Sequence, residues 1–425
     1  MVTLTSAESA LKSVYLGVVG NQLNVNANPL LGKIKQSTKD VWGKEIRKLA
    51  PYGVNGGIGA GAETDALPKA GGNNYVQFIT DLKNLYGKIE LSDKAIRASE
   101  NNAGAFVNLL NDEMEGLIKA SSFNLGRMLF GDGTGKLATV TSVNTSTKAF
   151  TCDTVKNLIE GMTLDVYGSS GSKSAVKSGH RIKYVDRVNK CFYLDATCLL
   201  DENDAIYVQG SKNNEITGLG KIFSDSETLY GLTRASYPWL SPYVKTSAGE
   251  INDGLIQSAV DFLEEFSGSN INYIACSSAV RRAYQEYLGA YRRNIDVATL
   301  DGGYKAISYN GIPLVADRFV ADDTMFLLNT DDFTLHQLCD WKWLEGEDGR
   351  IIRQNVGYPT FSATLVKYAD LICDKPNGQA KITGISSTVT NPFTTFVNTV
   401  NNIITTSTEE ETTGETETPV VNGGN

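Results

Sequence analysis

Apolar and polar positions change period several times along the chain. Over residues 5–20, Leu11, Val14, Tyr15 and Val18 recur at spacings of three and four behind a capping Thr5 or Ser6, which predicts an amphipathic helix. The polar stretch GNQLNVNANP ends that pattern, and LLGKIKQSTKDVWGKEIRKLA, with short apolar groups among lysines, predicts an extended arm. From Tyr52 to Asn74 the chain is rich in glycine and shows neither period. Val76, Phe78, Thr80 and Leu82 then alternate, as do Leu85, Gly87, Ile89 and Leu91, which predicts strands. With an extended arm before the glycines, the whole forms a long hairpin with a flexible tip; a plain surface loop is the alternative. Two strands alone are marginal in water, so such a hairpin predicts a neighbour to lie on.

The longest helical pattern runs from Asn101 to Leu129, where Phe106, Leu110, Met114, Leu117, Leu125 and Met128 make one stripe interrupted by Ser121. At 1.5 Å per residue it is about 43 Å long, a beam that must pack on a sheet or on other subunits. Directly after it stands LFGDGTGKLA, with Gly131, Gly133, Gly135 and Lys136 in the style of a phosphate loop. A phosphate loop needs strand, glycine loop and then helix, so that free helical N–H groups face the anion. Here the helix comes first and a strand pattern follows, while Leu137 stands where a magnesium-binding hydroxyl is needed. The glycines therefore predict a helix stop, with Gly131 as a left-handed cap.

Residues 140–168 and 182–210 match at a constant offset of 42 without a gap, pairing Val140 with Ile182, Val143 with Val185, Phe150 with Phe192, Asp153 with Asp195, Leu158 with Leu200, Leu164 with Ile206, Val166 with Val208 and Gly168 with Gly210. Each copy reads strand, polar turn, strand, loop, strand, which predicts a small closed barrel or sandwich. Its functional alternative, a glycan or receptor binder, has no aromatic platform visible in the sequence. Beyond it, GEINDGLIQSAVDFLEEF predicts a helix with Ile251, Leu255, Ala259, Phe262 and Phe266 on one side, NINYIAC a buried strand, and SSAVRRAYQEYLGAYRRN a helix opened by Ser277 or Ser278. Such alternation predicts an α/β region. Its pairs Arg281–Arg282 and Arg292–Arg293 read as a solvated face, or in an assembly as donors to acidic neighbours. Residues 311–384 are strand-rich and predict a sheet for the long helix to cover. NPFTTFVNTVNNII allows a short docking helix, and the last residues carry Glu409, Glu410, Glu411, Glu415 and Glu417 without a basic residue.

Composition narrows the chemistry. The 425 residues suffice for two or three domains, and 41% hydrophobic with 20% charged residues is ordinary for a globular protein. No apolar run reaches the roughly 20 residues that span a bilayer, so no membrane association is expected. The N-terminus lacks a basic cluster before its apolar stretch, which does not fit a secretory signal. A net charge of -9 and a pI near 5.0 argue against a molecule that grips nucleic acid as a whole. The six cysteines include no CxxC pair and read as reduced, buried thiols; His180, Cys191, Cys198 and Cys152 are the only loose metal-like grouping, and no metal is expected there. His180 and His336, the only two histidines, lie far apart in sequence, leaving little for imidazole catalysis. No catalytic residue, metal or cofactor is therefore assigned.

YVQFITDLKNLYGKIELSDKAIRAS, followed by AGAFVNLLNDEMEGLIKASSFNLGRMLFGDGTGKLA, resembles the major capsid proteins of tailed double-stranded DNA phages, with the Hong Kong 97-type fold. The resemblance extends through NPLLGKIKQSTKDVWGKEIRKLAPYG before these phrases and SSAVRRAY, GIPLVADRF and MFLLNTDDF after them. It implies an α+β shell protein, not an enzyme, with residues 1–50 as an N-terminal arm, 51–92 as an extended loop, 93–137 as the spine helix of a peripheral domain and 216–310 as an α/β axial domain. Residues 311–384 would return as peripheral strands. The β domain at 138–215 and the Thr/Glu-rich extension at 385–425 depart from the minimal plan. The same resemblance implies self-assembly into the hexamers and pentamers of an icosahedral virion made in a bacterial cytoplasm, with portal, scaffold and possible decoration proteins as partners and packaged double-stranded DNA in weak, non-specific proximity. Since the chain starts almost directly with the arm, a separate scaffold protein is expected. Some relatives cross-link a lysine of the loop to an asparagine elsewhere; Lys69 and Asn355 are the candidates by position, with no motif to join them and no identified buried carboxylate to assist. The rival readings are an encapsulin-like cellular shell and, more remotely, a nucleotide-binding enzyme.

Overall fold

The computed structural model describes residues 28–63, 66–94, 103–145, 148–168, 177–195, 200–291, 297–299, 305–346 and 349–386. The helix expected at 5–20, Cys198, the Arg292–Arg293 pair, the side chains of Phe106 and Leu110 and nearly all of the C-terminal extension lie outside these residues.

Three hydrophobic cores organise the described residues. The first lies between the long helix Ala103–Phe130 and a five-stranded sheet. In that sheet the strand Thr360–Cys373 runs antiparallel to Phe333–Trp343, to Lys83–Ser92 and to the short Arg353–Gln354, while Lys35–Ser37 pairs parallel to the outer side of Phe333–Trp343. Alternation in Lys83–Ser92 buries Leu85, Gly87, Ile89 and Leu91. Gly87 marks a close approach of strand and helix, since a Cβ there would stand 2.9 Å from the side chain of Leu117. The helix buries Met114, Ile118, Leu125, Met128 and Leu129, and near Gly126 it is crossed by the buried Asn28, whose amide donates to the Ser122 carbonyl at 3.1 Å.

The hairpin is formed by Glu45–Tyr52 and Asn74–Asp81, in register from Glu45 opposite Asp81 to Tyr52 opposite Asn74. Its limits differ from the expected 51–92. The Leu82 amide donates to the Lys44 carbonyl and closes the hairpin base, after which Lys83–Ser92 turns into the main sheet and buries its apolar side chains there.

The α/β region forms a seven-stranded sheet with Tyr273–Cys276 at its centre, between Ile312–Ala316 (parallel) and Met325–Leu328 (antiparallel). Ile274 and Cys276 face the second core with the helices Asp253–Ser267 and Ser278–Tyr291, while Tyr273 and Ala275 face the first core. Both faces are thus covered, as the continuous apolar run of this strand requires. Ser277 caps the second helix, its hydroxyl accepting from the Val280 amide at 3.1 Å. Two expectations are corrected here. The strands of 311–384 do not form one group: Ile312–Ala316, Met325–Leu328 and Ala380–Ile382 join the α/β sheet, and only Phe333–Trp343, Arg353–Gln354 and Thr360–Cys373 join the sheet under the long helix. The first helix buries Ile256, Ala259 and Leu263, leaving Phe262 and Phe266 exposed.

Residues 136–208 close into a six-stranded barrel around the third core. Its strands are Lys136–Asn144, Ala149–Cys152 and Thr163–Tyr167 from the first copy of the repeat, and Lys177–Asp186, Cys191–Leu194 and Ala205–Val208 from the second. Exchanging the copies leaves the list of strand pairs unchanged, so the barrel has an internal pseudo-twofold axis. Finer detail repeats as well. Asp153 accepts from the Thr139 amide and Asp195 from the Arg181 amide, and the turn residues Lys148 and Lys190 both adopt positive φ. Phe150 and Phe192 meet where the two halves join, with ring centroids 5.5 Å apart.

The GDGTGK loop connects the long helix to the barrel. The helix ends at Phe130, but Gly131 is not left-handed; the positive φ values belong to Gly133 (80°) and Gly135 (79°). Gly131 donates to the Met128 carbonyl in a tight last turn, and Gly218 and Gly220 pack against the backbone carbonyl groups of this helix end. Asp132 shapes the loop by accepting from the Thr134 amide and hydroxyl at 2.9 and 2.6 Å. A Cβ on Gly135 would lie 2.5 Å from the Ser211 carbonyl oxygen. Gly135→Val is therefore expected to cost about 2–4 kcal/mol, while Gly131→Ala and Lys136→Ala stay within about 1 kcal/mol, as urea unfolding would measure.

Candidate assembly surfaces

The hairpin is fixed at its base and bare at its tip. On its inner face Ile46, Ala50, Val76 and Phe78 are buried. Tyr52 stacks on Trp239 with centroids 5.8 Å apart, and Phe78 packs against Tyr230 at 5.2 Å. Thr80 donates to the Asp370 carboxylate at 2.6 Å, which also accepts from the Thr217 amide at 2.6 Å, the Thr217 hydroxyl at 3.1 Å and the Leu371 amide at 3.0 Å. Burial pushes the Asp370 carboxyl above the usual carboxylate range, although these bonds favour its charged form. Lys48 adds an ion pair to Asp374 at 2.7 Å. Beyond this anchorage, Val54, Ile58 and Leu67 are 79%, 81% and 90% exposed. Gly57 and Gly71 allow the two sides of the tip to cross, since a Cβ on Gly57 would stand 2.8 Å from the Gly71 amide nitrogen.

A second bare surface lies on the side of the main sheet opposite the long helix. Tyr86 is more than half exposed there, between Asn84, Lys88 and Glu90 on the same face of its strand, and meets Tyr368 edge to face at 6.3 Å. A third is an aromatic ladder on the α/β unit: Tyr243 stacks on Phe262 at 4.5 Å, and Phe262 meets Phe266 at 4.6 Å. Phe266 is 67% exposed, in a place where an isolated chain gains nothing from a phenyl ring. The sequence marked these phenylalanines as apolar but could not show that they stand exposed among the described residues.

Other groups singled out in the sequence fall in separate places. His180 is in the barrel and His336 in the main sheet, and among the described residues no three His, Cys, Asp or Glu side chains are grouped to hold a metal ion. Cys152, Cys191, Cys276 and Cys373 are free and buried. Lys69 sits in the exposed tip, whereas the Asn355 amide group is engaged locally, donating to the Thr360 hydroxyl at 2.8 Å and accepting from Ser362 at 2.7 Å. No described helix is long and apolar enough to cross a membrane.

His336 ties the arm strand Lys35–Ser37 to the sheet. Its Nδ1–H donates to the Lys39 carbonyl at 3.0 Å, and among the described residues its buried Nε2 has no acceptor for a second proton. Burial pushes the imidazole below its ordinary value of 6.5; nearby Lys48 lowers it further, while the Lys39 carbonyl, Asp40 and Asp374 act the other way. A depressed folded-state pKa means that the stabilisation is complete above 6.5 and is lost as pH falls from there through the folded value. Thermal melts from pH 7.5 downward should show this loss, and His336→Gln, which keeps a donor for Lys39, should lack it.

No protein-family model matches the chain, and no curated protein matches it in sequence. Its structure is similar to the capsid asymmetric unit of cyanophage A-1(L), at 12% identity over 84% of this chain and 93% of that chain, with a TM-score of 0.51. Lower similarity joins it to the holo-SrpI encapsulin complex of Synechococcus elongatus PCC 7942 (9% identity, 87% and 91% coverage, TM-score 0.44) and to Mycobacterium phage Bobi (9%, 84% and 90%, 0.42). Of these three, only the cyanophage structure is close enough to define a common fold. The chain thus has the mixed α+β fold of a phage capsid protein, the Hong Kong 97-type shell fold.

Proposed function

We propose that this chain is a major capsid subunit, which assembles with copies of itself into the hexamers and pentamers of an icosahedral phage head. The observation that carries this reading is the similarity to a capsid protein over 84% of this chain and 93% of that chain, reinforced by the apolar side chains of the hairpin tip and of the α/β unit that the described residues leave exposed. In this reading the long helix and its sheet form the peripheral domain, the hairpin lies on a neighbouring subunit, and the exposed sheet face around Tyr86 receives a neighbour's hairpin. The α/β unit is the axial domain, its Tyr243–Phe262–Phe266 ladder meeting the next copy around the capsomer axis. Each contact joins two different patches, the arrangement that closes rings. The role is structural, its product a virion shell made in the host cytoplasm. Portal, scaffold and decoration proteins are its expected partners, and with a net charge of -9 the subunit holds packaged double-stranded DNA only by loose proximity.

Phe266→Asp is expected to leave the subunit folded, because the ring is exposed, and to abolish rings by placing a charge in each axial contact. Native mass spectrometry reads this directly. Rings at the parent yield would contradict the axial assignment.

A further inference from the structure

The duplicated barrel contains its own control for what the fold requires. On the outer wall of the first copy, Ser142 and Thr151 form a cross-strand pair next to a bulge that follows Val140. At the same positions of the second copy, 42 residues on and beside the same bulge, stand Tyr184 and Tyr193. The inward residues of the two copies are alike in kind, with Val140 and Phe150 matched by Ile182 and Phe192 in the core. A serine and a threonine therefore satisfy the barrel at these outer positions, whereas the second copy places two aromatic rings there, Tyr193 also sharing a side-chain hydrogen bond with Cys191, which stands where the first copy has Ala149.

Their placement is that of a binding surface. The rings lie 5.8 Å apart at 35°, and both are half-buried. They sit on the seam between Lys177–Asp186 and Cys191–Leu194. Strand order around the barrel puts that seam opposite the one between Lys136–Asn144 and Ala205–Val208, through which the chain enters and leaves. The platform thus lies across the barrel from the strands through which the chain enters and leaves. Beside it, Arg187 and Glu160 form a two-pronged ion pair at 3.1 and 3.2 Å, and Lys183 is exposed in the bulge. Among the described barrel residues, Val188 is the only large aliphatic or aromatic side chain that counts as exposed. That is far too little apolar surface for the core of a protein interface, which buries about 800 Å² on each partner. A sugar ring, with a C–H face for an aromatic ring and a rim of hydroxyls for charged groups, fits better.

We propose that the barrel binds a polysaccharide, one pyranose ring lying on Tyr184 and Tyr193 while Arg187, Glu160 and Lys183 engage its hydroxyl groups. The inference does not depend on the shell reading. Its test uses the full-length protein on an array of immobilised bacterial polysaccharides, with the double variant Tyr184→Ser/Tyr193→Thr, which carries the first copy's own residues. At least one polysaccharide should retain the parent and release it to the matching free oligosaccharide; the double variant should bind about tenfold or more weakly, with an unchanged melting temperature. The proposal is overturned if no polysaccharide retains the parent, if the variant binds equally, or if only a host protein, uncompeted by sugar, is captured. A clear drop in the variant's melting temperature would overturn it too, by making the tyrosines part of the barrel's support.

Discussion

Replacing residues 53–73 with Asn-Gly is expected to leave a subunit of nearly unchanged stability that forms no closed shell. Tyr52 and Asn74 are the last paired residues of the hairpin, so a two-residue turn of the kind that suits twisted strands can join them without shifting the register. The stretch removed contains Val54, Ile58 and Leu67, which are almost fully exposed and contribute little to the subunit's own core. Shortening the loop this far changes closure entropy by only about 2 kcal/mol, in favour of the folded subunit. The anchors at the hairpin base, Tyr52 on Trp239 and Thr80 on Asp370, remain. Thermal melting would check the first half of the expectation and sedimentation velocity the second; shells at normal yield would show that the tip is not an assembly contact.

The largest expected loss of stability is at Arg127. Its guanidinium makes a two-pronged, charge-assisted contact with Glu215, one bond being 2.9 Å, and also holds Asn124. The two side chains are 3% and 2% exposed, and the pair joins the end of the long helix to the segment that leaves the barrel. Arg127→Met strands a carboxylate in the interior and should cost about 3–5 kcal/mol. Adding Glu215→Leu should recover most of that loss, because two apolar side chains need no partner there. Urea unfolding of both single variants and the double variant closes the cycle. Equal and additive losses would mean that the pair does not act as a unit.

The parts of the fold that were legible in the sequence are those fixed by short-range pattern. The offset of 42 could be read because alternation places one residue in two inside a barrel, and both copies must fill the same core. The hairpin and the long helix were visible for the same reason, although the break at Leu82 was not: it depends on whether a strand buries its apolar side against its hairpin partner or under a helix. Long-range pairing hid the division of 311–384 between two sheets, since Ile312–Ala316 and Phe333–Trp343 look alike as apolar strands and differ only in what they lie beside. The cap at Gly131 was misplaced because a glycine in sequence does not reveal its φ. Asp370, Glu215 and the Tyr184–Tyr193 pair left no local signal. Their partners are distant in sequence, or belong to a comparison of the two repeat copies that needs the inward and outward directions of each residue.

That this subunit builds a closed shell is tested most directly by electron microscopy of the purified protein, alone and produced together with the scaffold protein proposed for it. Icosahedral shells of hexamers and pentamers are expected, each subunit's hairpin lying across a neighbour and the barrel standing away from the sheet contacts. A protein that stays monomeric under both conditions, with neither capsomers nor shells, would contradict it.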